Sequence, residues 1–120
     1  MSIFRYPLLG RYVPTRTNTT NITSSVCNSL IYFSWGAFVL VAGSIQINPT
    51  AAGACQLDLS LPFPTVFADT DGLSGNATNP GIIAGSIIPT PAGLSQASVI
   101  ITAPGAGNTF WRIVFVYLIT

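Results

Sequence analysis

The chain has 120 residues and lacks His, Lys and Glu entirely, and its seven charges are four arginines and three aspartates. Most general acids, general bases and metal ligands come from the missing residue types, so the composition argues against an enzyme and predicts no metal, cofactor or small-molecule substrate. The net charge of +1 provides no basic surface of the kind that binds nucleic acid.

The low proportion of charged residues, 6%, determines what the surface can be made of. A chain of this length forms one small domain, which buries only about two thirds of the surface that its unfolded chain exposes. So few charges cannot cover the remainder, and much of the exterior must be apolar or neutral. Soluble monomers rarely expose large apolar patches, and we therefore expect the protein to form an oligomer.

β-structure is predicted for most of the chain. Residues 1–10 form an extended N-terminal arm, because Pro7 prevents a helix and Gly10 ends the segment. Residues 11–26 are rich in Thr, Asn and Ser, which predicts an edge strand or an ordered extended loop. Residues 65–81 carry many turn-forming residues and are predicted to be irregular. The remaining strands, bounded by Gly and Pro, are predicted at 27–34, 38–47, 54–61, 82–88, 97–103 and 110–119.

Apolar residues alternate with a period of two, and no segment has a sustained helical period. The fold class is therefore predicted to be all-β, a single small antiparallel β-sandwich or barrel at residues 11–120 that follows the arm at 1–10. The uncharged stretch 29–47 is long enough to span a membrane, but its Gly, Ser and Gln residues favour strands. We predict no membrane association, and the N-terminus lacks the features of a secretory signal.

The two cysteines fit this fold without special chemistry. Cys55 lies on the same face as Leu57 and Leu59 of a strictly alternating strand, which predicts a buried thiol. Cys27 is expected to lie in a strand as well. A disulfide between them stays open at this point, although a chain made in cytoplasm would hold both thiols reduced.

The last predicted strand, 110–119, is apolar on both faces, and strands of this kind are buried on both. One face meets the core of the sandwich, so the other meets either a second copy of the chain or the chain's own arm. We expect a second copy, with Phe38 and Leu40 as lesser contributors. The face in question consists of Phe110, Arg112, Val114, Val116 and Leu118.

The first 16 residues contain three of the four arginines, interleaved with aromatic residues. Arg and Tyr are enriched at protein contacts, since both combine apolar area with hydrogen-bonding groups. The segment lacks the low hydrophobicity of disordered chains, although a loose solvated tail is the alternative that termini commonly adopt. The candidate contact residues are Phe4, Arg5, Tyr6 and Arg11.

Several short motifs resemble a recurring virion module of bacteriophages. They are Tyr12-Val13-Pro14-Thr15, Trp35-Gly36-Ala37-Phe38-Val39, the run from Val41 to Gly53, and Leu59-Ser60-Leu61-Pro62. In that module the turn usually reads Arg-Val-Gly-Asn, whereas this chain has Ser34-Trp35-Gly36-Ala37 there and so lacks the usual Arg and Asn. The resemblance covers roughly residues 10–120.

The resemblance implies a jelly-roll sandwich of the tumour-necrosis-factor-like type, usually a trimer, with no catalytic residues to transfer. In a homotrimer, the outward face of 110–119 is expected to form the threefold contact. Such modules occur at the tips of tail fibres and as knobs on phage capsids.

Of these two uses, the fibre tip and the capsid knob, the sequence favours the capsid knob. A fibre protein needs a long shaft and an attachment domain, whereas this chain begins at Met1 with a short arm. We expect a trimeric capsid decoration (cement) protein, assembled in the host cytoplasm, that stabilises the virion from outside. Its predicted partner is the major capsid protein, bound through Phe4, Arg5, Tyr6 and Arg11. The alternative is a receptor-binding or tail-fibre tip protein.

Overall fold

Ten β-strands form the fold of the computed structural model, which describes residues 8–65, 72–79, 84–89 and 95–119. No helix occurs in these ranges, and the predicted all-β antiparallel fold class is confirmed. The described residues accordingly contain no helix long and apolar enough to cross a membrane. The strands are β1 (Leu8–Tyr12), β2 (Arg16–Thr20), β3 (Ile22–Val26), β4 (Leu30–Trp35), β5 (Phe38–Pro49), β6 (Gly53–Ser60), β7 (Leu73–Thr78), β8 (Ala84–Pro89), β9 (Gln96–Ala103) and β10 (Thr109–Leu118).

All ten strands belong to one curled sheet with the order β1-β4-β5-β10-β7-β8-β9-β6-β2, and β3 pairs with β5. The two halves of this path enclose a single apolar core. We call β1, β4, β5, β10 and β7 the front layer, and β8, β9, β6 and β2 the back layer. The long strand β5 lies at the centre of the front layer, because it pairs with β10 along its whole length and with β4 and β3 in succession on its other edge.

The turn between β2 and β3 joins the two layers at one corner. β2 pairs with β6 whereas β3 pairs with β5, and the chain reverses between them at Asn21, whose φ is 56°. The Asn21 amide donates to the Ala51 carbonyl at 2.9 Å and accepts from the Ala51 N–H at 3.1 Å. These two bonds tie the corner to the loop between β5 and β6.

Alternate residues of the central strands build the core, as the period of two predicts. β10 turns four large side chains inward, and β5 and β6 supply branched aliphatic residues opposite them. The Tyr117 hydroxyl donates to the Phe63 carbonyl at 2.8 Å and accepts from the Phe63 N–H at 3.1 Å, which satisfies its polar group. The largest core residues are Trp111, Phe115, Leu30, Ile45, Ile47, Leu57, Leu59, Ile87 and Ile101.

Both cysteines are buried free thiols. Cys55 faces the core beside Leu57 and Leu59, as predicted. Cys27 is not in a strand: it lies between β3 and β4, where its Sγ is 3.8 Å from the Ser44 carbonyl oxygen. Burial raises the pKa of each thiol, which disfavours the reactive thiolate.

One predicted strand begins later in the structure, and one predicted irregular segment contains a strand. β4 begins at Leu30 rather than at residue 27, because residues 27–29 leave the sheet between two strands that share one edge of β5. β7 lies inside the segment 65–81. Its short polar side chains face outward, and only Leu73 and Ala77 reach the core, so its sequence gives a weak apolar alternation.

β1 spans the predicted boundary between arm and sandwich. Residues 8–12 pair antiparallel with residues 30–34 of β4, so residues 8–10 of the predicted arm belong to the sheet. Residues 1–7, which include Phe4, Arg5 and Tyr6, lie outside the described residues. The boundary at residue 10 stays a prediction.

Candidate interaction surface on the front layer

The five residues predicted at a contact between copies all point away from the core. Their neighbours along β10 are buried, whereas Phe110 is 62% exposed, Leu118 55% and Val114 40%. Arg112 is exposed and Val116 half-buried. The alternation that buries one face of β10 therefore leaves a row of apolar side chains on the outside of the front layer.

This row continues sideways onto the neighbouring strands. In register, Val116 lies opposite Leu40, Leu40 opposite Phe33, and Phe33 opposite Leu9. The neighbouring cross-strand lines of residues also carry apolar side chains. Together they extend over four strands, each roughly 4.8 Å from the next. We call this region the apolar half of the outer face. It comprises Leu9, Ile31, Phe33, Trp35, Phe38, Leu40, Val114, Val116 and Leu118.

The outer face of the back layer has a different chemistry. Its strands turn the polar residues Gln56, Asp58, Ser98 and Thr102 away from the core, together with the half-buried Ile88 and Ile100, and Asp58 and Ser98 are themselves buried. Asp58 accepts hydrogen bonds from Thr19, Gln56 and Ser98, at 3.0, 3.0 and 2.7 Å. These bonds satisfy both carboxylate oxygens, so the carboxylate already has its ligands within the fold. The apolar exposure is therefore a property of one side of the sandwich.

A shallow groove borders the apolar half near the end of β10. It has a volume of about 320 Å³, and Phe38, Leu73, Val116 and Leu118 supply most of its apolar wall. Trp35, 55% exposed, lies opposite Phe38 on its other side, with its ring centroid 6.5 Å from that of Phe33. A protruding aromatic ring and an apolar depression thus flank Phe38 at this end of the face.

A second cavity, of about 330 Å³, opens at the edge of the apolar half, where β3 and β4 separate along β5 and Ile31 lines it. We call it the polar cavity, because side chains with hydrogen-bonding groups contribute much of its wall. Those residues are Arg11, Asn28, Ser29, Ser44 and Gln46, and the exposed ring of Phe110 closes one side. The only acidic side chain among the described residues, Asp58, lies on the back layer.

The structure places Arg11, the one described member of the predicted capsid-contact set, on the same surface as the five residues of β10. Arg11, predicted to contact a capsid protein, lies on the outer face of β1 opposite Ile31, which lies opposite Ala42 and then Val114. Of the five residues predicted on β10, Val114, Val116 and Leu118 belong to the apolar half, whereas Phe110 lines the polar cavity. Arg112 lies between the two, opposite Ser44.

Sequence reasoning missed the contribution of β1 and β4 to this surface. Leu9, Ile31 and Trp35 are exposed apolar residues, but only the strand pairing places them beside β10. A signal was present in the alternating pattern of residues 30–35, in which every second side chain is apolar or aromatic on either face.

No protein-family model matches the chain, and no curated protein sequence matches it. Among solved structures, the chain is similar to the C-terminal receptor-binding domain of the avian reovirus fibre sigmaC, with a TM-score of 0.59 and 10% sequence identity over 97% of this chain and 77% of that one. It is also similar to the carboxy-terminal domain of the turkey type 3 siadenovirus fibre, complexed with 3-sialyllactose, with a TM-score of 0.45 and 14% identity over 96% and 99% of the two chains. At 10% identity, the likeness to sigmaC shows a shared fold.

Proposed function

We propose that this protein is a receptor-binding head, the tip of a fibre-like attachment structure on a virion, and that it acts by binding rather than by catalysis. The observation that supports this most is the likeness of nearly the whole chain to the receptor-binding domain of sigmaC. The motif resemblance in the sequence favours a bacteriophage as the virus. Function on such a fold depends on the surface, and the front layer supplies a surface with distinct chemistry.

The head assembles as a homotrimer through the apolar half of its outer face. Nine apolar side chains across four strands form this surface, and no acidic residue lies on it. An exposed apolar surface of this breadth favours burial against a partner. A second copy provides such a partner, because each copy carries the same apolar surface. In a closed ring, a neighbouring copy covers this surface on every member.

The apolar half carries a protruding ring and a depression that favour a cyclic, head-to-tail arrangement. Trp35 protrudes on one side of Phe38, and the groove opens on its other side, towards Leu118 and Leu73. In a ring, the protruding side of one copy can face the groove side of the next. A buried Trp is among the strongest anchors of protein interfaces, so Trp35 in this groove would be the centre of the contact.

Capsid decoration, the use that the sequence favours, stays a second hypothesis, and the fold comparison supports it less than the receptor-binding alternative. It depends on Phe4, Arg5 and Tyr6 docking onto the major capsid protein. A chain that lacks residues 1–7 keeps β1 intact, and on this hypothesis it would lose binding to undecorated capsids.

Competition for adsorption tests the proposed function. The purified protein should occupy receptors on susceptible cells and lower the fraction of virions that adsorb, in proportion to its concentration. A variant with Thr102→Asp on the back layer serves as a control and should compete equally well, because Thr102 is exposed on β9, three strands from β10 in the sheet order. Unchanged adsorption at saturating protein, together with tight binding to undecorated capsids, would favour the decoration hypothesis.

A further inference from the structure

The polar cavity exists because two strands share one edge of β5. β4 pairs with β5 as far as the pair Ile31–Ala42, and β3 pairs from Val26–Gln46 onward. Residues 43–45 of β5 have no strand partner on that edge, and the chain segment 27–29 leaves the sheet beside them. Leu30 fills the space over Gly43 from the core side, where a Cβ on the glycine would overlap it. The gap is therefore closed from inside and open to solvent outside.

The side chains around this opening are free to bind. Asn28, Ser29, Ser44 and Gln46 make no side-chain hydrogen bond to any other described residue, and Arg11 has no ion pair among them. Two amides and two hydroxyls provide both donors and acceptors at short range. The cavity thus combines one unpaired guanidinium, four neutral polar groups, one exposed aromatic ring and the exposed aliphatic side chains of Val26 and Ile31.

This combination matches an anionic sugar. Ring hydroxyls of a sugar donate and accept hydrogen bonds, as the amides and hydroxyls require, and the apolar face of a sugar ring can pack on the electron-rich face of Phe110. Arg11 would take a carboxylate or sulfate group through its planar fork of N–H donors. A volume of about 330 Å³ is at the small end of ligand cavities, which corresponds to about one or two sugar rings.

We propose that the polar cavity binds the terminal sugar of a glycan that carries a carboxylate or sulfate group, with Arg11 as the residue that selects the charge. This inference rests on the proposed receptor-binding function and names the chemistry of its receptor. A peptide fits less well, because residues 27–30 cover the free edge of β5 and prevent an added strand. The site adjoins the apolar half, since Ile31 belongs to both. Three sites per trimer raise a weak single-site affinity by avidity.

An array of immobilised neutral, carboxylated and sulfated oligosaccharides tests the proposal on the purified protein. We expect retention of carboxylated or sulfated members and little retention of their neutral counterparts, and the two anionic sets show which group the site takes. The tightest-bound oligosaccharide is then titrated against variants by NMR. Arg11→Gln should weaken its binding about tenfold or more and remove the preference for charge. Phe110→Ala should weaken charged and neutral sugars alike.

Arg16→Gln is the matched control. It removes the same charge, but Arg16 lies on β2 and does not line the polar cavity, so affinity should stay within about twofold of the wild type. Equal losses for Arg11→Gln and Arg16→Gln would mean non-specific attraction and would overturn the proposal. Retention of neutral sugars alone, or of none, would also overturn it. If the protein blocks adsorption but binds no sugar, the proposed function stands and this inference fails. If it binds a charged sugar but does not block adsorption, the sugar site stands and the proposed function fails.

Discussion

The Tyr117 hydroxyl connects the end of β10 to the segment that follows β6. It bonds both the carbonyl and the N–H of Phe63, so Tyr117→Phe leaves two backbone groups without their partner. We expect the free energy of unfolding to fall by about 1 to 2 kcal/mol. Tyr32→Phe is the control: its ring lies 5.1 Å from that of Phe63, but its hydroxyl bonds no described residue. Similar losses for both variants in urea unfolding would contradict this account.

The same residue makes the fold sensitive to alkali. Burial raises the pKa of Tyr117 from 10.0 to about 12 and raises that of Tyr12 further, so the folded state holds both phenol protons more tightly than the unfolded chain. This stabilisation is complete below about pH 10 and is lost as the pH rises towards 12. The urea midpoint should therefore fall between pH 9.5 and about pH 11.5. Tyr117→Phe should reduce that decline, and an unchanged decline would show that Tyr117 is not its source.

Ser34 carries an unsatisfied buried group. Its side chain is fully buried in β4, and its Oγ has no hydrogen-bond partner among the described residues. Ser34→Ala removes that desolvated hydroxyl and should raise the free energy of unfolding by about 1 kcal/mol. Ser98→Ala is the matched control, because the Ser98 hydroxyl donates to Asp58 at 2.7 Å and its loss should destabilise the protein. A destabilised Ser34→Ala variant would contradict the assignment.

At the scale of elements, the strong alternation of β5, β6 and β10 makes these strands predictable. β7 could not be predicted in this way, since its place in the sheet depends on how closely it can approach β10. A Cβ at Gly75 would overlap the Val114 carbonyl and the Phe115 side chain, so the strand can approach β10 only with glycine there. Such a constraint lies in the tertiary structure, and a Gly in sequence merely indicates a turn or a bulge.

β7 therefore offers a test at this scale. Gly75→Ala should push β7 away from β10 and lower the free energy of unfolding by about 1 to 3 kcal/mol, as overpacking does. Gly105→Ala is the control, because a Cβ there meets no atom within 4 Å. Thermal unfolding of both variants checks the prediction, and a Gly75→Ala variant as stable as Gly105→Ala would show that the two strands can separate without cost.

The candidate site likewise has one part that the sequence predicts and another that it does not. The outward face of β10 was predictable from one strand, because residues 110–118 are apolar on both faces. The width of the apolar half and the existence of the polar cavity were not, since both depend on which strands pair with β5 and where β3 and β4 part. Strand register across the sheet is information that local patterns do not contain.

At the scale of the whole molecule, substitutions in the proposed contact test the trimer. Val114→Asp combined with Val116→Asp places two charges in the apolar half, at a cost of several kcal/mol for each buried unpaired charge. Light scattering should give three times the 12.6 kDa chain mass for the wild type and a single chain mass for this variant.

The matched control places the same two charges on the back layer. Thr20→Asp combined with Thr102→Asp changes exposed residues of β2 and β9, outside the proposed contact, and should leave the trimer intact. A trimeric front-layer variant would contradict the assignment of the contact. A wild type that is monomeric at micromolar concentration would contradict the assembly itself.

Location on the virion tests the central claim most directly. Antibodies raised against the purified protein and coupled to gold can be imaged on intact virions by electron microscopy. A receptor-binding head predicts label at the tips of fibres or of the tail, and adsorption blocked by the same antibodies. Label spread evenly over the capsid shell, with adsorption unaffected, would contradict the receptor-binding function and support decoration of the shell.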